Sequence, residues 1–293
     1  MYNFTYFSHF YLELRMENNC NYPKSFVELV NEVNDKKNQF YGQYIGVGNP
    51  NAKILIIGKE SAIDERKEEK QYVRENLKNV EGWLENVKKD MALFNADKDE
   101  FWKKDPEAPI NPMYPYRGQY FRIDNGKNYG TSRTWFDYQK IINQMETISL
   151  DDERKRTICF HEYCFSTELS SVSAKYSKEA DVKKRKESIK VRTTELLKLP
   201  FYQQFPIVIV AAGHYPKEFG IDLEELFGVK WDGKTIDRDD NCKLKRNWLN
   251  VHLGNQPKLL IHTNQLSINI TDELLRLIAE KCDEFAKSNN VKL

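Results

Sequence analysis

Four consecutive apolar residues, Ile54-Leu55-Ile56-Ile57, stop at Gly58 and are followed by Lys59, Glu60, Ser61 and Ala62. A run with no polar alternation suits a strand covered on both faces, the condition found inside a parallel sheet. Gly58 lets the chain turn and delivers Glu60 just past the carboxyl end of that strand, where open α/β sheets place their ligand crevice. Glu60 is therefore either a chemical group of such a crevice or a solvated acid in a strand-to-helix turn.

Three further stretches carry the same signal. Residues 157–165 read as a second strand, although His161 and Glu162 interrupt it and ionisable groups are costly in a buried strand unless paired or at its end. Pro206-Ile207-Val208-Ile209-Val210-Ala211-Ala212 is the third, ending at Gly213 and His214, and Lys258-Leu259-Leu260-Ile261 is the fourth, running into His262-Thr263-Asn264-Gln265-Leu266-Ser267. Helical spacing of apolar residues follows Ser25-Phe26-Val27-Glu28, which has the form of a capping box. It recurs at Trp135, Tyr138, Ile141, Ile142 and Met145, with Thr131, Ser132 and Thr134 as candidate caps, and at Leu274, Ile278, Cys282 and Phe285 after Thr271. Asp222 to Gly228 reads as a short helix stopped by glycine. Residues 64–104 and 178–199 are dense in charge, and both read as surface helices with solvated faces, Lys183-Lys184-Arg185-Lys186 included.

Alternating strands and helices predict an α/β fold, a three-layer α/β/α sandwich around a central four-stranded, mainly parallel sheet. At 293 residues the chain suits one domain, with an N-terminal helical extension (1–45) and a long insertion after the first strand (64–130). Residues 105–130 of that insertion interleave Pro106, Pro109, Pro112 and Pro115 with Tyr114, Tyr116, Tyr120 and Phe121. Such a loop either pins itself onto the core or supplies an aromatic wall for a base.

A net charge of +1, with 30% charged residues, rules out an overall basic bias but leaves room for a local basic groove. Five cysteines without a C-x-x-C pair suggest neither a disulfide framework nor a zinc knuckle. The aromatic N-terminus has no basic leader and no long apolar run, so the expectation is a cytoplasmic chain without a membrane span, and no cofactor or metal is implied.

The predicted strands end in Glu60, in His161 with Glu162, in His214 and in His262. In a parallel sheet those ends converge, so carboxylate and imidazole groups would face one crevice. A histidine at a strand end can equally be a hydrogen-bonded packing residue. The first and last motifs resemble the uracil-DNA glycosylase superfamily. In that family the first strand ends in a glycine followed two positions later by Asp or Asn, the place of Glu60. Its last strand ends in a His-Pro-Ser type loop continuing to Leu-Ser, the places of His262, Leu266 and Ser267. The segment Trp135-Phe136-Asp137-Tyr138-Gln139 is also similar to one that follows the first motif. Ser61, Thr263 and Gln265 depart from the family's prolines, and no asparagine marks the end of the second strand.

The resemblance implies a DNA glycosylase-like hydrolase that cleaves the N-glycosidic bond of a deaminated or damaged base, with DNA or a nucleotide as partner. The alternative is a non-catalytic nucleotide or nucleic-acid binding module on the same fold. In the first reading Glu60 stabilises the positive charge that develops on the sugar and orients a water, while His262 stabilises the departing base. Leu266 would fill the space of a flipped base. Gly58, Lys59, Ser61, His161, Glu162, His214, Asn264 and Ser267 complete the expected substrate-binding set, with Lys59, Ser61, Ser267 or Lys243-Leu244-Lys245-Arg246 touching phosphates.

Overall fold

The computed structural model describes residues 20–36, 44–95, 109–115, 132–174, 176, 180–237, 242–267 and 269–293. Along these run α1 (Lys24–Asp35), β1 (Val47–Gly48), β2 (Ile54–Gly58), α2 (Glu69–Tyr72), α3 (Asn79–Lys89), α4 (Arg133–Gln144), α5 (Asp152–Arg156), β3 (Cys164–Glu168) and α6 (Val182–Thr194). There follow α7 (Pro200–Gln203), β4 (Ile207–Val210), α8 (Tyr215–Phe219), α9 (Leu223–Phe227), β5 (Val229–Ile236), β6 (Leu249–Gly254), β7 (Leu259–Thr263) and α10 (Asp272–Ser288).

Among the described residues the sheet contains seven strands, in the order β1-β3-β2-β4-β7-β6-β5. Its centre, β3-β2-β4-β7, is parallel, and β1, β6 and β5 are antiparallel additions at the two edges. Three of the four expected strands are β2, β4 and β7 of this parallel centre; the fourth, β3, lies further along the chain than expected, and the sheet has seven strands where four were expected. The other three carry no apolar run: β1 is only two residues long, and β5, Val-Lys-Trp-Asp-Gly-Lys-Thr-Ile, is mostly exposed. A half-covered edge strand needs no continuous hydrophobic stretch.

Alternation along β2 builds the layers. Leu55 and Ile57 enter one core with Phe26, Val30, Trp83, Phe165, Phe201 and Leu260, whereas Ile54 and Ile56 enter a second with Ile141, Phe160, Ile261, Leu274 and Ile278. A strand whose successive side chains point to opposite faces must be buried on both if all are apolar, so α1, α3 and α7 cover one face and α4 and α10 the other. Helix α1, expected as an extension, thus contributes Phe26, Val27, Leu29, Val30 and Val33 to the core shared with the sheet.

Three local readings are corrected. The second strand begins at Cys164, and Phe160–Glu162 before it is a turn of 3-10 helix; the chain shortens the strand so that it excludes the two ionisable residues. Pro23 occupies the N-cap position of α1, where its fixed φ suits a helix start but it makes no side-chain cap, and the Ser25 hydroxyl instead donates to Gln204 Oε1 at 2.9 Å. The basic helix α6 is not solvated on every side, because Arg185, Ser188, Ile189 and Arg192 are buried. The caps Ser132 and Thr271 hold as read, accepting from the amides of Trp135 and Leu274.

Candidate functional site

Parallel pairing sets Gly58 directly beside Glu168, the last residues of β2 and β3. A β-carbon at Gly58 would lie 2.2 Å from Glu168 Oε2, so the carboxyl group of Glu168 occupies the space a side chain at 58 would need. This close approach, and not a turn, is what glycine supplies here; Gly58 sits in ordinary strand backbone. Glu168 is half-buried; two residues after Gly58, Glu60 is buried and accepts a hydrogen bond from the Tyr215 hydroxyl at 2.7 Å. Tyr215 in turn accepts from Arg185 at 3.1 Å. Backbone bonds from Leu169 and Ser170 to the carbonyls of Gly58 and Lys59 join the loops that follow the two strands. Glu60 and Glu168 are thereby brought to one cavity of about 530 Å³ at the carboxyl edge of the sheet.

The environment of Glu168 perturbs its carboxyl group strongly. Burial raises Glu168 to a pKa of about 8, and the neighbouring Glu60 charge adds to the rise, opposed only in part by Arg192. Glu168 Oε2 is buried with no hydrogen-bond partner. The fully buried Arg192 is committed elsewhere, donating to the Glu168 carbonyl at 2.8 Å, the Tyr44 carbonyl at 2.6 Å and Thr167 Oγ1 at 2.8 Å. The raised pKa favours the protonated form of Glu168 near neutral pH, so an acid able to give up a proton stands beside Glu60. Lys59 stands 4.4 Å from the Tyr215 ring centre, and burial depresses its pKa against the opposing pull of Glu60 and Glu218.

Aromatic side chains wall the cavity: Tyr44, Trp135, Tyr138 and Tyr176. Of the proline-rich loop, Ile110, Pro112 and Pro115 line it, whereas Tyr114 is turned into the core. Tyr116, Tyr120 and Phe121 lie outside the described residues. The Trp135 segment is divided in use. Trp135 and Tyr138 face the cavity, Asp137 pairs with Arg133 at 3.2 Å, and Gln139 Oε1 accepts from the Cys159 amide at 2.7 Å to hold the approach to β3.

The remaining predicted site residues fall in four places. Gly58, Lys59, Ser61, Leu266 and Ser267 line the same cavity as Glu60. Ser61 accepts from Asn76 at 3.2 Å. Leu266, however, is fully buried within the α4 and α10 core, so it is a packing residue and not a free wedge. His161 and Glu162 sit before β3, at the opposite end of that strand from the crevice. His161 is buried between Trp135 (4.5 Å) and Phe160 (3.8 Å), where burial depresses its pKa, and Glu162 pairs with Arg154.

His214 and His262 line a second cavity, of about 620 Å³, and His262 is not among the residues lining the first. His262 Nε2 is 2.8 Å from the Gly213 carbonyl oxygen, and burial lowers its pKa to about 4, leaving a neutral ring. Asn264 Oδ1 accepts from the Trp248 amide at 2.8 Å, a structural role at the start of β6. The expected Glu60 and His262 pair thus gives way to Glu60 and Glu168. Glu168 escaped the sequence reading because Ser166 and Thr167 do not look apolar; extending the strand past Phe165 would have placed Glu168 at its end, as Gly58 ends β2.

Among the described residues no group of three or more His, Cys, Asp or Glu side chains is arranged to hold a metal ion, and no helix is long and apolar enough to cross a membrane. The chain matches no family model, no curated protein and no solved structure.

Proposed function

We propose that this chain is a glycosylase-like hydrolase, a divergent relative of the uracil-DNA glycosylases, which cleaves the N-glycosidic bond of a deaminated or damaged base in DNA. The observation that supports it is the pair of carboxyl groups in one aromatic-walled cavity, with Glu168 held protonated near neutral pH beside Glu60. Breaking the bond sends its electron pair to the base and leaves positive charge on the sugar. Glu168 gives its proton to the departing base, and the Glu60 carboxylate stabilises the sugar cation and takes a proton from the attacking water. The leaving-group task first assigned to His262 passes to Glu168, because His262 lines the other cavity. Tyr44, Trp135 and Tyr138 give the base an aromatic lining.

Glu60 is already engaged by Tyr215 within a network that includes Arg185, and that observation favours the second reading, a binding module for a nucleotide or nucleic acid without cleavage. Release of free base from oligonucleotides carrying uracil, hypoxanthine, xanthine or alkylated bases decides between them. Glu60→Gln is expected to lower release by about 10²-fold or more, the scale for loss of a charge-stabilising or general-base group. No release from any substrate, together with measurable oligonucleotide binding, establishes the binding module. Release that survives Glu60→Gln means that another group carries the chemistry.

A further inference from the structure

The second cavity is lined by residues that the catalytic reading leaves unused. Lys217 of α8, Lys245 and Arg246 before β6, and Asn250 of β6 line it together with the rings of His214 and Trp248. Trp248 is fixed from both sides of its backbone: its amide donates to Asn264 Oδ1 at 2.8 Å and its carbonyl accepts from Thr263 Oγ1 at 2.5 Å. The exposed imidazole of His214 lies parallel to the indole, with ring centres 5.6 Å apart and planes 21° apart, and His262 meets Trp248 edge-on at 4.9 Å. Asn250 Oδ1 is buried and has no hydrogen-bond partner. A buried acceptor left in that state is destabilising, and a ligand donor would satisfy it. Lys245 holds a left-handed backbone, φ 58°, a conformation uncommon for any residue with a side chain and often retained where a turn meets a ligand.

Three cationic side chains, a stacked ring pair and one unsatisfied amide oxygen are complementary to three parts of one molecule. We propose that this cavity is a nucleotide site, separate from the Glu60 cavity, for a nucleoside phosphate whose base carries an exocyclic amino group. The phosphates meet Lys217, Lys245 and Arg246, the base stacks on His214 as the third ring beyond Trp248, and the amino group donates to Asn250 Oδ1. A volume of about 620 Å³ lies within the range of pockets that hold ligands of this size. Asp237 also lines the cavity and disfavours extra negative charge at its own rim, so the site is not a uniform polyanion trap. Gly213 touches a lining residue of each cavity. Its carbonyl bonds His262, and a β-carbon on it would lie 3.6 Å from Lys59 Cε.

Titration of the full chain with ADP, AMP, CMP, UMP, adenosine, inorganic pyrophosphate and a short oligonucleotide, followed by tryptophan fluorescence and calorimetry, tests the assignment. Saturable quenching by AMP, CMP and ADP that is lost in Trp248→Phe supports it, as does weaker binding of UMP, of adenosine and of pyrophosphate. Lys245→Gly and Arg246→Ser should each weaken ADP binding about tenfold, the scale of one charge-assisted contact. Lys245→Gly relieves the left-handed backbone, so an undiminished melting temperature in that variant separates lost binding from lost folding. Asn250→Leu should remove the preference for CMP over UMP. The assignment is overturned by no quenching at millimolar nucleotide, by pyrophosphate binding as tightly as ADP, by binding of the oligonucleotide alone, or by ADP affinity unchanged in both cationic variants. These outcomes are independent of base release, which reports on the other cavity.

Discussion

Replacing Glu168 by Gln keeps the shape of the protonated acid and removes its proton, so the change should raise stability and lower activity together. Glu168 has a folded pKa of about 8 against the ordinary value of 4.5. Its folded form holds the proton more tightly than its unfolded form, so wild type is relieved of this cost below the unfolded pKa and loses stability as pH rises through the window from 4.5 to 8. With 1.36 kcal/mol for each pH unit in which the unfolded chain has ionised and the folded chain has not, the loss is about 1 kcal/mol at pH 5 and about 3 kcal/mol at pH 7. Glu168→Gln escapes it, and for a chain of this size a gain of about 3 kcal/mol corresponds to a rise of roughly 5–10 °C in Tm at pH 7. Melting curves for both proteins at pH 5, 6, 7 and 8 should therefore diverge as pH rises. Under the acid-catalysis reading the same variant releases base about 10²–10⁴-fold more slowly, because an amide cannot give up the proton. Parallel melting curves across the whole range would refute the buried-acid argument, and full activity in a stabilised variant would leave the acid in place but remove it from the chemistry.

Gly58→Ala should cost about 1–3 kcal/mol and displace the Glu168 carboxyl, because its β-carbon would fall 2.2 Å from Oε2; the melting shift should shrink in a Gly58→Ala, Glu168→Ala double variant. Leu266→Ala should lower stability by about 2–5 kcal/mol, measured by urea unfolding, since the side chain is core. A selective loss of action on duplex over single-stranded substrate, with stability intact, would restore its wedge role. His262, with its folded pKa lowered to about 4 from 6.5, contributes stability that is complete above pH 6.5 and falls away by about 3 kcal/mol as pH drops towards 4. His262→Asn should flatten that acid limb in melting curves from pH 7 to pH 4, and an unchanged limb would show that the ring is not held neutral by burial.

Much of the frame was legible because it depends on local pattern. Runs such as Ile54 to Ile57 and Ile207 to Val210 can satisfy their side chains only when covered on two faces, and caps such as Ser132 and Thr271 mark helix starts through hydrogen bonds made within three residues. Glu60 was found for the same reason, as the first acid after an apolar strand. Contacts between distant segments were not legible. Nothing near Gly58 in sequence says that a carboxyl group 110 positions later will lie over it, and nothing near Arg185 says that it will reach Tyr215 and, through it, Glu60.

By itself the sequence determined three of the four parallel strands, β2, β4 and β7, the two faces they must bury and the delivery of Glu60 to their carboxyl edge, because each follows from the spacing of apolar residues along one segment. Only the tertiary structure decided which second group shares the cavity with Glu60. Strand register and the lengths of connecting turns set that choice: β3 starts after His161 and Glu162, which sends them to the far end and brings Glu168 forward, while the turn at Gly213, with a left-handed φ of 56°, stands between His262 and Lys59. Charge state followed from the same packing, since the proton on Glu168 is kept by burial and by a neighbouring acid, properties that no single segment of the chain contains.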